Sequence, residues 1–121
     1  MRHLESALQI QLFHWANMMR QSLPELQLMF HIPNGGARTK IEGARLKREG
    51  VKAGVPDIFL PVARGKYHGL FIELKTGKGK PSKSQAEWVL SLTDQGYGAM
   101  VINSFDDARK IITWYLEQEN G

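Results

Sequence analysis

The 121-residue sequence contains no cysteine. That absence removes disulfides, cysteine-ligated zinc, iron–sulfur clusters and thiol catalysis, and it fits a reducing compartment. Long apolar runs are missing as well. None approaches the roughly 20 residues needed to cross a bilayer, and the N-terminus does not read as a signal peptide. The chain is therefore expected to be soluble and cytoplasmic. There are no repeats, no low-complexity tracts and no internal linker. Phosphate-binding fingerprints fail too. A P-loop read onto Gly79–Lys80 would need glycine where Leu74 stands, and serine or threonine where Pro81 stands. The dinucleotide pattern opening at Gly77 breaks where Ser82 replaces its last glycine. The four histidines, His3, His14, His31 and His68, show no metal-binding spacing and read as incidental.

What is present is an ordinary globular composition. With 42% apolar residues the chain is not disordered. Its length suits one hydrophobic core and is too short for two typical domains, so a single domain over residues 1–121 is expected. The net charge of +4 and pI of about 9.5 favour a polyanionic partner.

Leu4, Leu8, Leu12, Trp15, Ala16 and Met19 recur at helical spacing, which predicts an amphipathic helix over residues 4–20, closed before Pro24. Leu28 to Ile32 is a short apolar run and predicts a strand, broken by the turn signals of "PNGGAR". Residues 38–50 predict a short solvated helix ending at Gly50. Asp57–Val62 and Gly69–Lys75 read as two strands joined closely enough to form a hairpin. "SKSQ" at 82–85 is a capping-box pattern, opening a helix that stops at Gly96. Tyr97–Ile102 reads as a further strand. Ser104 caps a last helix with Phe105, Ala108, Ile111, Ile112, Tyr115 and Leu116 on one face. Met18, Met19, Met29 and Met100 read as core filling. This order predicts an α/β fold, a central mixed sheet of about four strands flanked by helices.

The chemistry concentrates at the hairpin. Side chains alternate along a strand, so Glu73 and Lys75 share a face and Leu74 takes the other. If the two strands pair, Asp57 lies at the end of its strand beside Glu73 and Lys75. Two carboxylates close together repel, and a buried one is costly unless paired. A divalent cation offsets both penalties, and oxygen ligands of this kind suit Mg²⁺ or Mn²⁺. The plainer alternative is an exposed Glu73 and Lys75 at a strand end, with Asp57 following a turn proline.

Pro56–Asp57, a gap, then Glu73–Leu74–Lys75 resembles the motif of the PD-(D/E)XK nuclease superfamily. "HIPNGGAR", "LKREGVKAGVPDIFLP" and "HGLFIELKTGKGKPSKSQ" make the sequence similar to its virus-type replication-repair nuclease (VRR-NUC) family, over nearly the whole chain. The resemblance implies a restriction-endonuclease-like core and metal-dependent DNA cleavage with Mg²⁺ or Mn²⁺. It makes Asp57, Glu73 and the main-chain carbonyl of Leu74 the metal ligands, and Lys75 the group that orients water or stabilises charge on phosphate. Glu5 on the first helix also matches the family pattern; otherwise it is an acid favoured by the helix dipole. Gln85 and Trp88 form a Q-x-x-W pair resembling the element that follows the lysine in some of these nucleases, while the capping box alone also accounts for Gln85. The resemblance further suggests branched DNA such as Holliday junctions, and a homodimer.

Basic and glycine-rich stretches surround this constellation. Asn34, Gly35, Gly36 and Arg38 form a loop able to cradle phosphate, or a plain turn. Arg45, Lys47 and Arg48 make a backbone-tracking surface or a solvated helix face. Lys78 and Lys80 follow the Glu73–Lys75 motif directly. Two rival readings are a non-catalytic nucleic-acid-binding module and a nuclease subunit of a helicase complex. The first is disfavoured because a pure binder has no need of acids facing phosphates.

Overall fold

The computed structural model describes residues 2–33 and 39–120. In chain order they form α1 (Arg2–Met18), a 3-10 turn (Pro24–Leu28), β1 (Phe30–His31), α2 (Lys40–Arg48), β2 (Ile58–Leu60), β3 (Leu70–Leu74), α3 (Lys83–Asp94), β4 (Gly98–Ile102) and α4 (Phe105–Leu116). The strands make one mixed sheet in the order β1-β2-β3-β4. β1–β2 and β2–β3 are antiparallel, and β3–β4 is parallel through the α3 crossover. This is the α/β architecture expected, with helices flanking a four-stranded sheet.

Alternation divides the sheet into two unlike faces. Ile58, Leu60, Leu70, Ile72 and Leu74 are buried and form the main core with Leu8, Leu12 and Ala16 of α1 and Ala108, Ile112, Tyr115 and Leu116 of α4. The Tyr115 hydroxyl donates to the Val62 carbonyl at 2.6 Å, which satisfies the polar end of an otherwise apolar residue. The opposite face carries Phe59 and Phe71, stacked at 4.1 Å, and is covered in part by α3. Asp57, Glu73 and Lys75 share the parity of Phe59 and Phe71, so the charged cluster belongs to this second face.

Several boundaries shift from expectation. α1 stops at Met18, well before Pro24, which instead sits in the first turn of the 3-10 segment. That turn takes up Leu28, so β1 shrinks to Phe30–His31. The stripe of α1 is narrower than its spacing suggests, with Leu4 49% exposed, and Met18, expected to fill the core, is instead 68% exposed at the helix end. Met29 is buried, as a core-filling methionine should be. The capping boxes at Thr39 and Ser82 are both formed, and Ser104 caps α4. Among the described residues no helix is long and apolar enough to cross a membrane.

Candidate metal centre and its surroundings

Strand register brings the two carboxylates together. Ile58 pairs with Ile72, so Asp57 stands opposite Glu73, one step past the end of the ladder. The loop before Asp57 is held by α3. The Trp88 indole donates to the Ala53 carbonyl at 3.1 Å. Gly54, at φ +91°, lies so near the helix start that a Cβ there would meet the Ser84 backbone at 2.8 Å. Pro56 is fully buried. With its approach fixed, the Asp57 carboxylate accepts from the Leu74 N–H at 2.8 Å, a charge-assisted bond that joins β2 to the end of β3.

Among the described residues Glu73 is the only charged residue in the buried interior, at 2% exposure. Its Oε2 accepts from Gln85 Nε2 at 3.0 Å. Gln85 Oε1 in turn accepts from the Ser82 N–H at 2.8 Å. One side chain therefore closes the cap of α3 and orients Glu73. Lys75 Nζ lies 3.8 Å from Glu73 Oε2, beyond hydrogen-bond distance. The ammonium is held near the carboxylate without being spent on it. Among the described residues Glu73 Oε1 has no hydrogen-bond partner, and neither does the buried Thr76 Oγ1 on the same short run of chain.

Burial pushes the Glu73 carboxyl up to about 8; the charge of Asp57 adds to this, Lys75 opposes it, and the close approach of the Asp57 side chain and the charge of Glu5 raise it further. The pocket disfavours an unaccompanied negative charge. A buried carboxylate oxygen without a donor, beside a second carboxylate, is the donor set that a hard divalent cation satisfies. Among the described residues no group of three His, Cys, Asp or Glu side chains is arranged to hold a metal. The fit is to an ion that keeps several waters and takes few protein ligands, as Mg²⁺ does.

Glu5 meets the site from the other side. With Ser6, Gln9, His31, Asp57 and Leu74 it lines a cleft of about 170 Å³. Glu5 is half-buried, and its charge acts on Glu73. The structure thus brings together Glu5, Asp57, Glu73, Leu74, Lys75 and Gln85. His31 belongs with them although it has no metal-binding spacing in the sequence. Its Nδ1 lies 2.8 Å from the Asp57 carbonyl, an approach across 26 residues that no local pattern announces.

The basic candidates are less gathered. Lys78 and Lys80 are exposed on the loop after β3, which is braced by Asn103 Nδ2 at the Gly77 and Gly79 carbonyls, 3.2 and 3.3 Å away. Arg45, Lys47 and Arg48 project from α2, which buries no residue, and make no ion pair among the described residues. Asn34, Gly35, Gly36 and Arg38 lie outside the described residues.

A mixed four-stranded sheet with Asp57 and Glu73 meeting at adjoining strand ends, and Lys75 beside them, defines a nuclease fold of the PD-(D/E)XK superfamily. The chain belongs to the VRR-NUC family: the sequence pattern of the VRR-NUC domain matches residues 4–106. A solved structure described as "VRR_NUC domain protein" is 33% identical, with a TM-score of 0.83, covering 96% of this chain and 90% of that one. No functionally curated protein matches.

Proposed function

We propose that the protein is a metal-dependent, structure-selective DNA endonuclease that hydrolyses phosphodiester bonds in branched DNA such as Holliday junctions. The observation that carries this reading is Glu73: a 2%-exposed carboxylate, opposite Asp57, with one oxygen lacking any partner among the described residues. Asp57, Glu73 and the Leu74 carbonyl would hold Mg²⁺ or Mn²⁺, with Glu5 at the outer side of the cleft. When bound, such an ion supplies an activated water and neutralises charge on the phosphate. Lys75 places a fixed positive charge where negative charge develops. Gln85 holds the Glu73 carboxylate in one rotamer. The test is a panel of labelled linear, flap and four-way DNAs with Mg²⁺ or Mn²⁺. Selective, EDTA-sensitive cutting of branched DNA supports the reading; no cutting of any substrate overturns it.

Resolving a four-way junction takes two nicks related by symmetry, so we place two sites in a homodimer with a twofold axis matching the substrate's own. Light scattering at micromolar concentration, together with the product pattern on a junction, checks this. A monomer that makes single, asymmetric nicks leaves a simpler nickase.

Lys75→Ala is expected to lower turnover by about 10²–10³-fold, with a much smaller change in DNA affinity. Its side chain is 15% exposed and its ammonium is not consumed by Glu73, which leaves it available to a phosphate. Single-turnover rates at saturating enzyme read the effect; a wild-type rate would reduce Lys75 to a strand-end lysine.

Arg45, Lys47 and Arg48 are expected to track the DNA backbone. For each of these side chains that pairs with a phosphate, alanine substitution should flatten the log K against log salt slope by roughly 0.9 on duplex DNA. An unchanged slope in the triple variant would place α2 away from DNA.

A further inference from the structure

We propose that His31 is a positioning residue for the metal centre, clamping the Asp57 main chain so that its carboxylate stays aimed at β3; this rests on the metal-dependent reading above. Asp57 is the first residue beyond the last strand pairs on both sides, His31 with Ile58 and Ile58 with Ile72. Nothing in the ladders fixes it. Its carbonyl nevertheless has two partners from the β1 side: the Ile32 N–H at 2.7 Å and His31 Nδ1 at 2.8 Å. A carbonyl oxygen only accepts, so Nδ1 carries a proton and the tautomer is set by this bond. Both lone pairs of the carbonyl are then in use, and the Asp57 backbone is pinned between β1 and the Leu74 N–H that its own side chain reaches.

Such a clamp matters more here than in a densely ligated site. With two carboxylates and a carbonyl as the protein's donors, a small swing of Asp57 removes a large share of the coordination. Partners that orient ligands from outside the coordination sphere commonly change metal affinity by 10–100-fold. His31 is exposed and lines the same cleft as Glu5 and Asp57, so its other nitrogen, Nε2, is also a candidate for direct contact with substrate. The two roles use different nitrogens, and this separates them. Asparagine places an N–H near the position of Nδ1 and can keep the clamp. Glutamine places its amide near Nε2 and cannot.

The experiment compares His31→Ala, His31→Asn and His31→Gln in the full chain by calorimetric titration with Mn²⁺ and by the rise in Tm on adding Mn²⁺. Cleavage against Mn²⁺ concentration is a third readout. The expected result is a Mn²⁺ affinity weakened about 10-fold or more in the Ala and Gln variants. The Asn variant should lie within about threefold of wild type, and saturating Mn²⁺ should restore most of the Ala variant's rate. Should the Ala variant fail to fold, the Asn and Gln pair carries the comparison by itself. Wild-type affinity in all three variants overturns the proposal, and so does activity kept by Gln and lost by Asn. Asp57→Asn is the control: loss of its Mn²⁺ response leaves the metal centre standing whatever His31 does. An intact Mn²⁺ response there overturns the metal centre and this inference with it.

Discussion

Asp57→Ala and Glu73→Ala are each expected to reduce cleavage below detection in Mg²⁺ or Mn²⁺, with the fold retained. The two carboxylates face one another across β2 and β3 and are the acids proposed to hold the ion. Neither can replace the other, because each is fixed by a different bond: Asp57 by the Leu74 N–H and Glu73 by Gln85 Nε2. The structural costs differ. Asp57→Ala leaves the Leu74 N–H without its acceptor, which costs about 1–3 kcal/mol if that group stays dry. Asp57→Asn keeps an acceptor oxygen and is the cleaner variant. Glu73→Ala leaves Gln85 Nε2 without its acceptor and empties a buried position, so Glu73→Gln, which keeps an acceptor oxygen, is its cleaner counterpart. DNA binding should survive in both and tighten in the Asp57 variant, where negative charge beside the phosphates is removed. Gel shifts in EDTA read binding, and cleavage of the best branched substrate reads chemistry. Cutting at the wild-type rate by either variant would move the metal centre elsewhere.

The site is legible in the sequence where its residues are neighbours along the chain. Glu73, Leu74 and Lys75 are consecutive, and period-two alternation alone puts Glu73 and Lys75 on one face. Asp57 joins them because a short connection predicts a hairpin, and the hairpin fixes who faces whom. Gln85 carries two meanings in the sequence, cap and site partner, and both bonds exist. The helices likewise announce themselves through caps at Ser82 and Ser104. Three things are hidden for physical reasons. The end of α1 has no glycine or proline to mark it, so apolar spacing carries the expected helix past Met18. The extent of β1 depends on whether Leu28 joins a strand or the 3-10 turn begun by Pro24, a choice made by tertiary packing. The place of His31 follows from pairing between strands that are distant in sequence, while metal-ligand spacing looks for local repeats and finds none.

Glu73 also governs how stability responds to pH. In the metal-free fold its carboxyl is raised from the usual 4.5 to about 8, first by burial and then by Asp57. Between those values the folded protein keeps a proton that the unfolded chain releases. The unfolded state then binds fewer protons, so stability falls as pH rises through this window and levels off above it. One proton gives a slope of about 1.4 kcal/mol per pH unit at most. This is opposite to the behaviour of an ion-paired carboxylate, which gains stability with rising pH. A divalent ion reverses the sense at the same group. It competes with the proton below pH 8, so its apparent affinity should rise with pH and its binding should release a proton. Thermal melts in EDTA from about pH 5.5 to about pH 8.5 are therefore expected to show a falling contribution from this residue, and melts in Mn²⁺ a widening stabilisation over the same range. Glu73→Gln stays neutral and can still accept from Gln85 Nε2, so it should flatten both trends and melt higher than wild type in EDTA at about pH 8.5. A metal-free wild type whose pH profile matches that of Glu73→Gln would show that Glu73 is already ionised and partnered. A Mn²⁺ response retained by Glu73→Gln would show that the ion binds without it.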